Sequence, residues 1–169
     1  LWTTPCWRPW GGGAVSHADF DNARWRLDSA GRFRVCLPAG WRLHPSGGPD
    51  SFWVMPAGPG PGSIRLALLR GGADGVWGGE VVRAAAETRP GVRVVEQDGS
   101  VHAAYVRRVA TPFGEDLQYL WEIGSGAWIA LWSYLIDSRL RTSPGVALEF
   151  QAVSFIIGSF RFLAAATEG

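Results

Sequence analysis

One stretch of the chain limits the fold more than any other, because it is apolar on two opposite faces. Residues 127–136 read AWIALWSYLI and follow the turn Gly124-Ser125-Gly126. Alternate side chains of a strand point to opposite faces. One face then holds Ile129, Leu131 and Leu135, and the other holds Trp128, Trp132, Tyr134 and Ile136. An antiparallel strand with two apolar faces belongs in a sheet that is covered on both sides.

Turn signals place this strand in an antiparallel meander. Asp98-Gly99 is typical of a tight hairpin and separates residues 92–96 from residues 101–110. The Gly-Ser-Gly turn separates residues 117–123 from the two-faced strand in the same way. Further short strands are predicted at residues 24–29, 32–37, 52–55, 64–69 and 160–162.

Two helical segments flank the meander. Apolar residues recur at helical spacing over residues 76–88, which Pro90-Gly91 ends. Ser143-Pro144 is typical of a helix start, and helical spacing continues over residues 144–157. Helices before and after a sheet with two apolar faces predict an α+β fold, specifically an α/β/α sandwich around a central antiparallel sheet.

Length and composition predict one folded domain with little overall charge. The chain has 169 residues, of which 47% are hydrophobic and 18% charged. We expect an irregular arm at residues 1–18, a single domain at residues 19–163 and a tail at residues 164–169. The formal net charge is +1, so the chain lacks the general positive field that attracts phosphate backbones, and we expect no nucleic-acid partner.

The sequence shows neither an export signal nor a membrane span. Its most apolar stretch, residues 127–136, is about half as long as a spanning helix. The first residues lack the basic and apolar regions of a secretory signal. Two cysteines, Cys6 and Cys36, allow one disulfide at most. We therefore expect a cytoplasmic protein without a membrane span.

Two segments of the sequence resemble segments of a known family. FRVCLPAGW, residues 33–41, is similar to the strand and corner that open bacterial relatives of PsbP, and FIIGSFRF, residues 155–162, is similar to the end of the same group. The resemblance covers about residues 24–163. It implies the fold that PsbP shares with the Mog-type import factors, a twisted antiparallel sheet between helices. It also implies binding roles, such as photosystem subunit, nuclear-transport factor or Eag-type chaperone of bacterial effectors, and no catalytic motif.

Residues with catalytic or metal-binding chemistry are scattered. His17, His44 and His102 lie far apart, and neither cysteine has a neighbour at metal-ligand spacing, so we expect no metal and no cofactor. Glu122 and the pair Glu115-Asp116 raise the possibility of a carboxylate pair for acid–base chemistry, but no oriented partner is evident. We expect solvated charges there and no enzyme activity.

The aromatic side chains of the meander carry the remaining functional signal. They are Trp121, Trp128, Trp132 and Tyr134. All four could belong to the core, since a covered sheet needs bulk beneath its helices. The functional interpretation is a partly open aromatic face, because two short helices do not cover both faces of a wide sheet.

These observations favour a non-catalytic protein-binding module, in the manner of an adaptor or secretion chaperone. The partner would be another protein or a second copy of the chain, held on the aromatic sheet face. Two alternatives remain open. One is a carrier for a small hydrophobic ligand, and the other is a small hydrolase with an isolated carboxylate or serine in a cleft.

Overall fold

A computed structural model describes residue 20 and residues 22–56, 58–70 and 78–163. Its helices are α1 (Gly78–Glu87) and α2 (Pro144–Ser159), and a short 3-10 helix covers Ser138–Leu140. The strands are β1 (Arg24–Leu27), β2 (Phe33–Leu37), β3 (Arg42–Pro45), β4 (Ser51–Met55), β5 (Gly62–Arg70), β6 (Arg93–Gln97), β7 (Ser100–Thr111), β8 (Gly114–Ser125), β9 (Trp128–Asp137) and β10 (Arg161–Phe162).

The described strands form two antiparallel sheets. The larger has seven strands in the order β3-β4-β5-β9-β8-β7-β6, and the smaller has the order β1-β2-β10. The two-faced strand β9 is the centre of the large sheet, where its residue Trp132 lies opposite Trp121 of β8 and Leu66 of β5. A central position explains why this strand is apolar on both faces.

One face of the large sheet, which we call the inner face, carries Trp132 and Tyr134. It packs against α2 and against strand β2 of the small sheet in the main hydrophobic core. Phe33 of β2 and Phe160, just after α2, are among the fully buried residues there, with rings 5.2 Å apart. Both α2 and the small sheet therefore cover the inner face.

The opposite face, which we call the outer face, carries Leu131 and Leu135. Helix α1 covers only part of it, through Val82 and Ala86, which pack with Val101, Ala103 and Ile129 in a second cluster. The helix starts directly on the β8–β9 hairpin, where the amide of Gly78 donates to the carbonyl of Gly126 at 2.6 Å. A side chain at Gly78 or Gly124 would overlap backbone atoms at this contact, so only glycine allows it.

The two segments that resemble the PsbP family, residues 33–41 and 155–162, each have a structural role. The Ser159 hydroxyl accepts from the Cys36 amide at 2.9 Å and donates to the carbonyl of Ile156 at 2.7 Å, which ties the end of α2 to β2. In the other segment, the amide of Trp41 donates to the carbonyl of Pro38 at 3.1 Å, and Gly40 has a φ of 81°. This turn carries the chain from the small sheet to the large one.

The antiparallel sheet and the two helices confirm the predicted α+β fold. Ser143 caps α2, accepting from the amide of Val146 at 3.2 Å, as its sequence predicts. The prediction of one central sheet missed strand β3 and the separate β1-β2-β10 sheet. The predicted arm at residues 1–18 and tail at residues 164–169 lie outside the described residues.

Candidate functional site

The structure buries most of the aromatic residues that were predicted to form an open face. Trp132 and Tyr134 are 0% exposed and Trp121 is 7% exposed. All three lie on the inner face, beneath α2, where Phe150 packs against Tyr119, Trp121 and Tyr134. The prediction of an open face at these three positions is wrong, because the larger apolar helix and the small sheet both pack there.

Trp128, the fourth predicted residue, is half-buried at the end of the inner face. It packs against the main core, and two guanidinium groups lie near its ring, those of Arg32 at 5.7 Å and Arg70 at 5.9 Å. Its ring therefore closes the edge of the core and is flanked by cations.

The partly open apolar surface lies on the outer face instead. Phe52 and Val54 of β4 point into the core, so Trp53 and Met55 point outward. Met55 is 50% exposed and Leu69 of β5 is 49% exposed, on the same face of the sheet as the half-buried Leu131 and Leu135 of β9. We call Trp53, Met55, Leu69, Leu131 and Leu135 the outer patch. Sequence alternation around Phe52 and Val54 was the signal that could have identified Trp53.

Two arginines accompany the outer patch. Arg65 of β5 lies within it, between Trp53 and Ser133 in the register, and its guanidinium carbon is 3.8 Å from the centre of the Trp53 ring, a close cation–π contact. Arg42 of β3 is opposite Met55 at the edge of the patch, and its side chain is exposed. Neither arginine has a carboxylate partner in the described part of the chain, so the patch carries positive charge.

Charge is divided unevenly along the chain. Residues 22–70 hold seven arginines, and among the residues described there only Asp28 and Asp50 are acidic. Arg32 binds both aspartates, at 2.6 Å in the case of Asp28. Residues 78–163 hold eight arginines and nine carboxylates. The net charge of +1 therefore conceals a strongly basic half made of β1–β5.

Glu122 has hydrogen-bond partners that the sequence did not reveal. It lies on the outer face next to the end of α1, and its Oε1 accepts from Arg89 at 2.6 Å and from the Tyr105 hydroxyl at 2.8 Å. The carboxylate raises the pKa of Arg89, and burial is the main reason that the pKa of Tyr105 is raised. Glu115 pairs with Arg108 at 2.7 Å. In these described contacts each carboxylate neutralises an arginine, and no two carboxylates share a proton.

A second buried carboxylate lies on the inner face. Glu149 of α2 is 7% exposed, and its Oε2 accepts from the Tyr134 hydroxyl at 2.6 Å and from the Gly62 amide at 2.9 Å. Its other oxygen, Oε1, is buried without a hydrogen-bond partner. Burial raises the pKa of Glu149 although both donors oppose the shift. Burial also raises the pKa of Tyr134.

Among the described residues, no group of three or more His, Cys, Asp or Glu side chains is placed to hold a metal ion. His102 lies on β7 opposite Ile123, and burial lowers its pKa to about 4. Neither α1 nor α2 combines the length and the apolar character of a membrane-crossing helix.

Comparison with known proteins supports the architecture. The solution structure of cyanobacterial PsbP (CyanoP) from Synechocystis sp. PCC 6803 matches 95% of this chain and 100% of that chain, with a TM-score of 0.55 and 11% identity. The fold is PsbP-like. The sequence matches no family model and no curated protein.

A second solved structure shares this PsbP-like fold. The crystal structure of a protein from Bacteroides thetaiotaomicron VPI-5482 matches 82% of this chain with a TM-score of 0.63 and 16% identity. The match spans 48% of that protein, so this chain corresponds to about half of its length. At such identities the likeness shows the PsbP-like fold alone.

Proposed function

We propose that the chain is a non-catalytic protein-binding module of PsbP/Mog-like type, with a three-layer arrangement and an adaptor or chaperone role. The observation that carries this proposal is the outer patch, a set of partly exposed apolar side chains on strands β4, β5 and β9 of the large sheet. Trp and Met are typical anchors of protein interfaces. Isolated exposed apolar residues are ordinary, whereas the outer patch gathers five apolar side chains on one face of three neighbouring strands, with Ser63, Arg65 and Ser133 among them.

The charges around the patch indicate the chemistry of the partner. Arg42 at its edge and Arg65 within it have no carboxylate partner among the described residues, and Arg65 already stacks on the Trp53 ring. A partner segment with an apolar stripe and acidic residues beside it would satisfy both features. An amphipathic acidic helix laid along β4, β5 and β9 has this chemistry.

A second copy of the chain fits the outer patch less well. A two-fold dimer brings the same patch against itself. Arg42 and Arg65 of one copy would then approach the same arginines of the other, and such like-charge contacts disfavour association. The proposal therefore commits to a different protein as the partner.

The two other functions have less support. The cleft beside Trp41 is open and has Arg24 and Arg26 in its wall, which does not suit an apolar ligand that needs an enclosed cavity. A hydrolase would need a base that is free to take a proton, whereas the Oε1 of Glu122 already accepts from Arg89 and Tyr105.

The test uses the whole chain as bait in an extract of its own source organism. We compare the wild type with the double variant Trp53→Ala/Leu69→Ala, and use Phe113→Ala/Leu148→Ala as the matched control. Phe113 and Leu148 are 91% and 64% exposed but lie away from the outer patch, on a hairpin tip and on α2.

The wild type and the control should retain the partner, and the outer-patch variant should lose it. The purified partner should then bind the wild type and the control with similar affinity and the outer-patch variant more weakly. Equal retention by all three proteins would contradict the proposal. So would a stable homodimer in sedimentation experiments that the Trp53→Ala/Leu69→Ala variant abolishes.

A further inference from the structure

The small sheet ends in a strand whose outer edge is free. β1 pairs only with β2 in the described part of the chain, and each of its four residues is exposed. A free strand edge presents unpaired amide and carbonyl groups that another strand can use. β1 reads RWRL, so charged and apolar side chains alternate along it.

The backbone bonds show which groups face the free edge. The amide of Asp28 donates to the carbonyl of Phe33 at 3.0 Å, and in an antiparallel pair such bonded positions alternate. Arg26 and Arg24 therefore direct their backbone groups toward β2, opposite Val35 and Leu37. The amide and carbonyl groups of Trp25 and Leu27 point to the free edge.

The two faces of β1 differ in chemistry. Arg24 and Arg26 share a face with the buried Val35 and Leu37 and line a cleft of about 360 Å³. The cleft continues along the corner that leads to the half-buried indole of Trp41. Neither arginine has an ion pair in the described residues. On the other face, Trp25 is 43% exposed and Leu27 is 67% exposed.

We propose that the free edge of β1 is a second binding site, which takes an extended peptide segment of alternating acidic and apolar residues. The peptide adds as a fourth strand to the small sheet. Its acidic side chains lie opposite Arg24 and Arg26, which are about 6.6 Å apart at the usual rise of a strand. Its apolar side chains lie opposite Trp25 and Leu27.

Charge complementarity selects this occupant. Asp28 and Asp50, the acidic residues described in the β1–β5 half, are both bound by Arg32, so the arginines of β1 have no internal counter-charge there. A nucleic acid could satisfy the two guanidinium groups, but it has no backbone pattern that pairs with a strand edge. The site goes beyond the proposed function, because it uses a different surface from the outer patch.

The experiment measures binding of a fluorescein-labelled peptide, capped at both ends, in which glutamate and valine alternate. Fluorescence anisotropy is read with the full chain. We expect Arg24→Gln/Arg26→Gln to weaken binding by about tenfold or more. The control Arg93→Gln/Arg141→Gln removes the same charge from exposed residues of β6 and of the segment before α2, outside the cleft lining, and binding should stay within about threefold of the wild type.

A proline tests the strand edge itself. Leu27→Pro removes an amide that points to the free edge, whereas Leu27→Ala removes only the side chain. Peptide binding should be lost in Leu27→Pro and only weakened in Leu27→Ala, which loses an apolar contact but keeps the amide, with circular dichroism confirming that both are folded. Should Leu27→Pro fail to fold, the arginine variants still decide the outcome.

Three results would overturn the proposal. The first is equal affinity of Arg24→Gln/Arg26→Gln and the wild type. The second is equally tight binding of a peptide with glutamine in place of glutamate. The third is a single-stranded oligothymidine that binds more tightly and displaces the peptide. Trp53→Ala/Leu69→Ala should leave this binding unchanged, so failure here is distinct from failure of the outer patch.

Discussion

Both faces of strand β9 carry apolar side chains, but different parts of the molecule surround them. Trp132 and Tyr134 on the inner face are completely buried, whereas Leu131 and Leu135 on the outer face keep part of their surface in contact with solvent. Two layers of structure, α2 and the small sheet, cover the inner face, and α1 covers only part of the outer face. Apolar side chains are therefore core on one side and a candidate interface on the other.

Replacing Trp132, on the inner face, should lower the free energy of unfolding more than any substitution on the outer face. Trp132→Ala leaves a cavity at a residue that is 0% exposed, and the free energy of unfolding should fall by about 3–5 kcal/mol. Urea denaturation measures the change. Leu131→Ala, one residue away on the outer face, is the control and should lower the free energy by less than half as much.

Trp132→Phe sharpens this test. The indole nitrogen of Trp132 is buried without a hydrogen-bond partner, so its removal loses no hydrogen bond. We expect a smaller loss than for Trp132→Ala, because a second aromatic ring fills most of the space. Equal losses for both variants would mean that the phenylalanine ring does not fill the space left by the indole.

His102, on the inner face of β7, should make the free energy of unfolding depend on pH. Burial, assisted by Arg161, lowers its pKa from 6.5 to about 4, with Asp98 opposing the shift. The unfolded chain then takes up the proton first, so stability should fall as the pH drops from about 6.5 to 4, by at most about 3 kcal/mol.

The His102→Gln variant should lose this part of the pH dependence. The measurement is urea unfolding of both proteins at several pH values between 4 and 7. If the free energy of unfolding varied with pH in the same way for the variant and the wild type, the pKa of His102 would be the same in the folded and the unfolded chain.

Glu149 should act in the opposite direction. Burial raises its pKa above the usual 4.5, although bonds from Tyr134 and Gly62 oppose the shift. The folded protein holds this proton more firmly than the unfolded chain does. Stability contributed by the protonated group is present below pH 4.5 and lost as the pH rises through the raised pKa. The effect should be smaller than that of His102, because the two donors offset part of the burial.

Glu149→Gln keeps the shape of the side chain and removes its charge. The stability of the variant relative to the wild type should increase as the pH is raised from 4 to 7, as measured by urea unfolding. A constant difference over that range would mean that Glu149 does not change its charge there.

Trp53→Ala should have the smallest effect on stability. Trp53 lies on the outer face and is only partly buried, so its loss should lower the free energy of unfolding by about 1 kcal/mol or less. The same change should remove a main anchor of the outer patch. A loss comparable to that of Trp132→Ala would place Trp53 in the core and remove the difference between the faces.

Much of the fold could be predicted from local patterns. The Asp-Gly and Gly-Ser-Gly turns, the cap at Ser143 and the alternation of apolar residues located most strands and both helices, because these signals depend on neighbouring residues. Strand β3 was missed, since RLHP has little strand character and becomes a strand only through pairing with β4.

The candidate site was predicted less well. Alternation divides β9 into two apolar faces but does not say which face receives the larger cover. That choice depends on where β1, β2 and β10 pack, which follows from contacts between residues far apart in the chain, such as that of Ser159 with Cys36. The result is that Trp121, Trp132 and Tyr134 belong to the core, whereas Trp53, which is half-buried, lies on the outer face.

The sequence by itself determined the antiparallel meander, the two helices and the buried centre of the sheet, because hydrophobic periodicity and turn residues act locally. Only the tertiary structure decided which apolar face stays open and which arginines have counter-charges. The excess of arginines in residues 22–70 is already visible in the sequence, whereas only the structure shows that Arg32 binds both Asp28 and Asp50 and leaves its neighbouring arginines without counter-charges. Ion pairs of this kind depend on how strands meet in space.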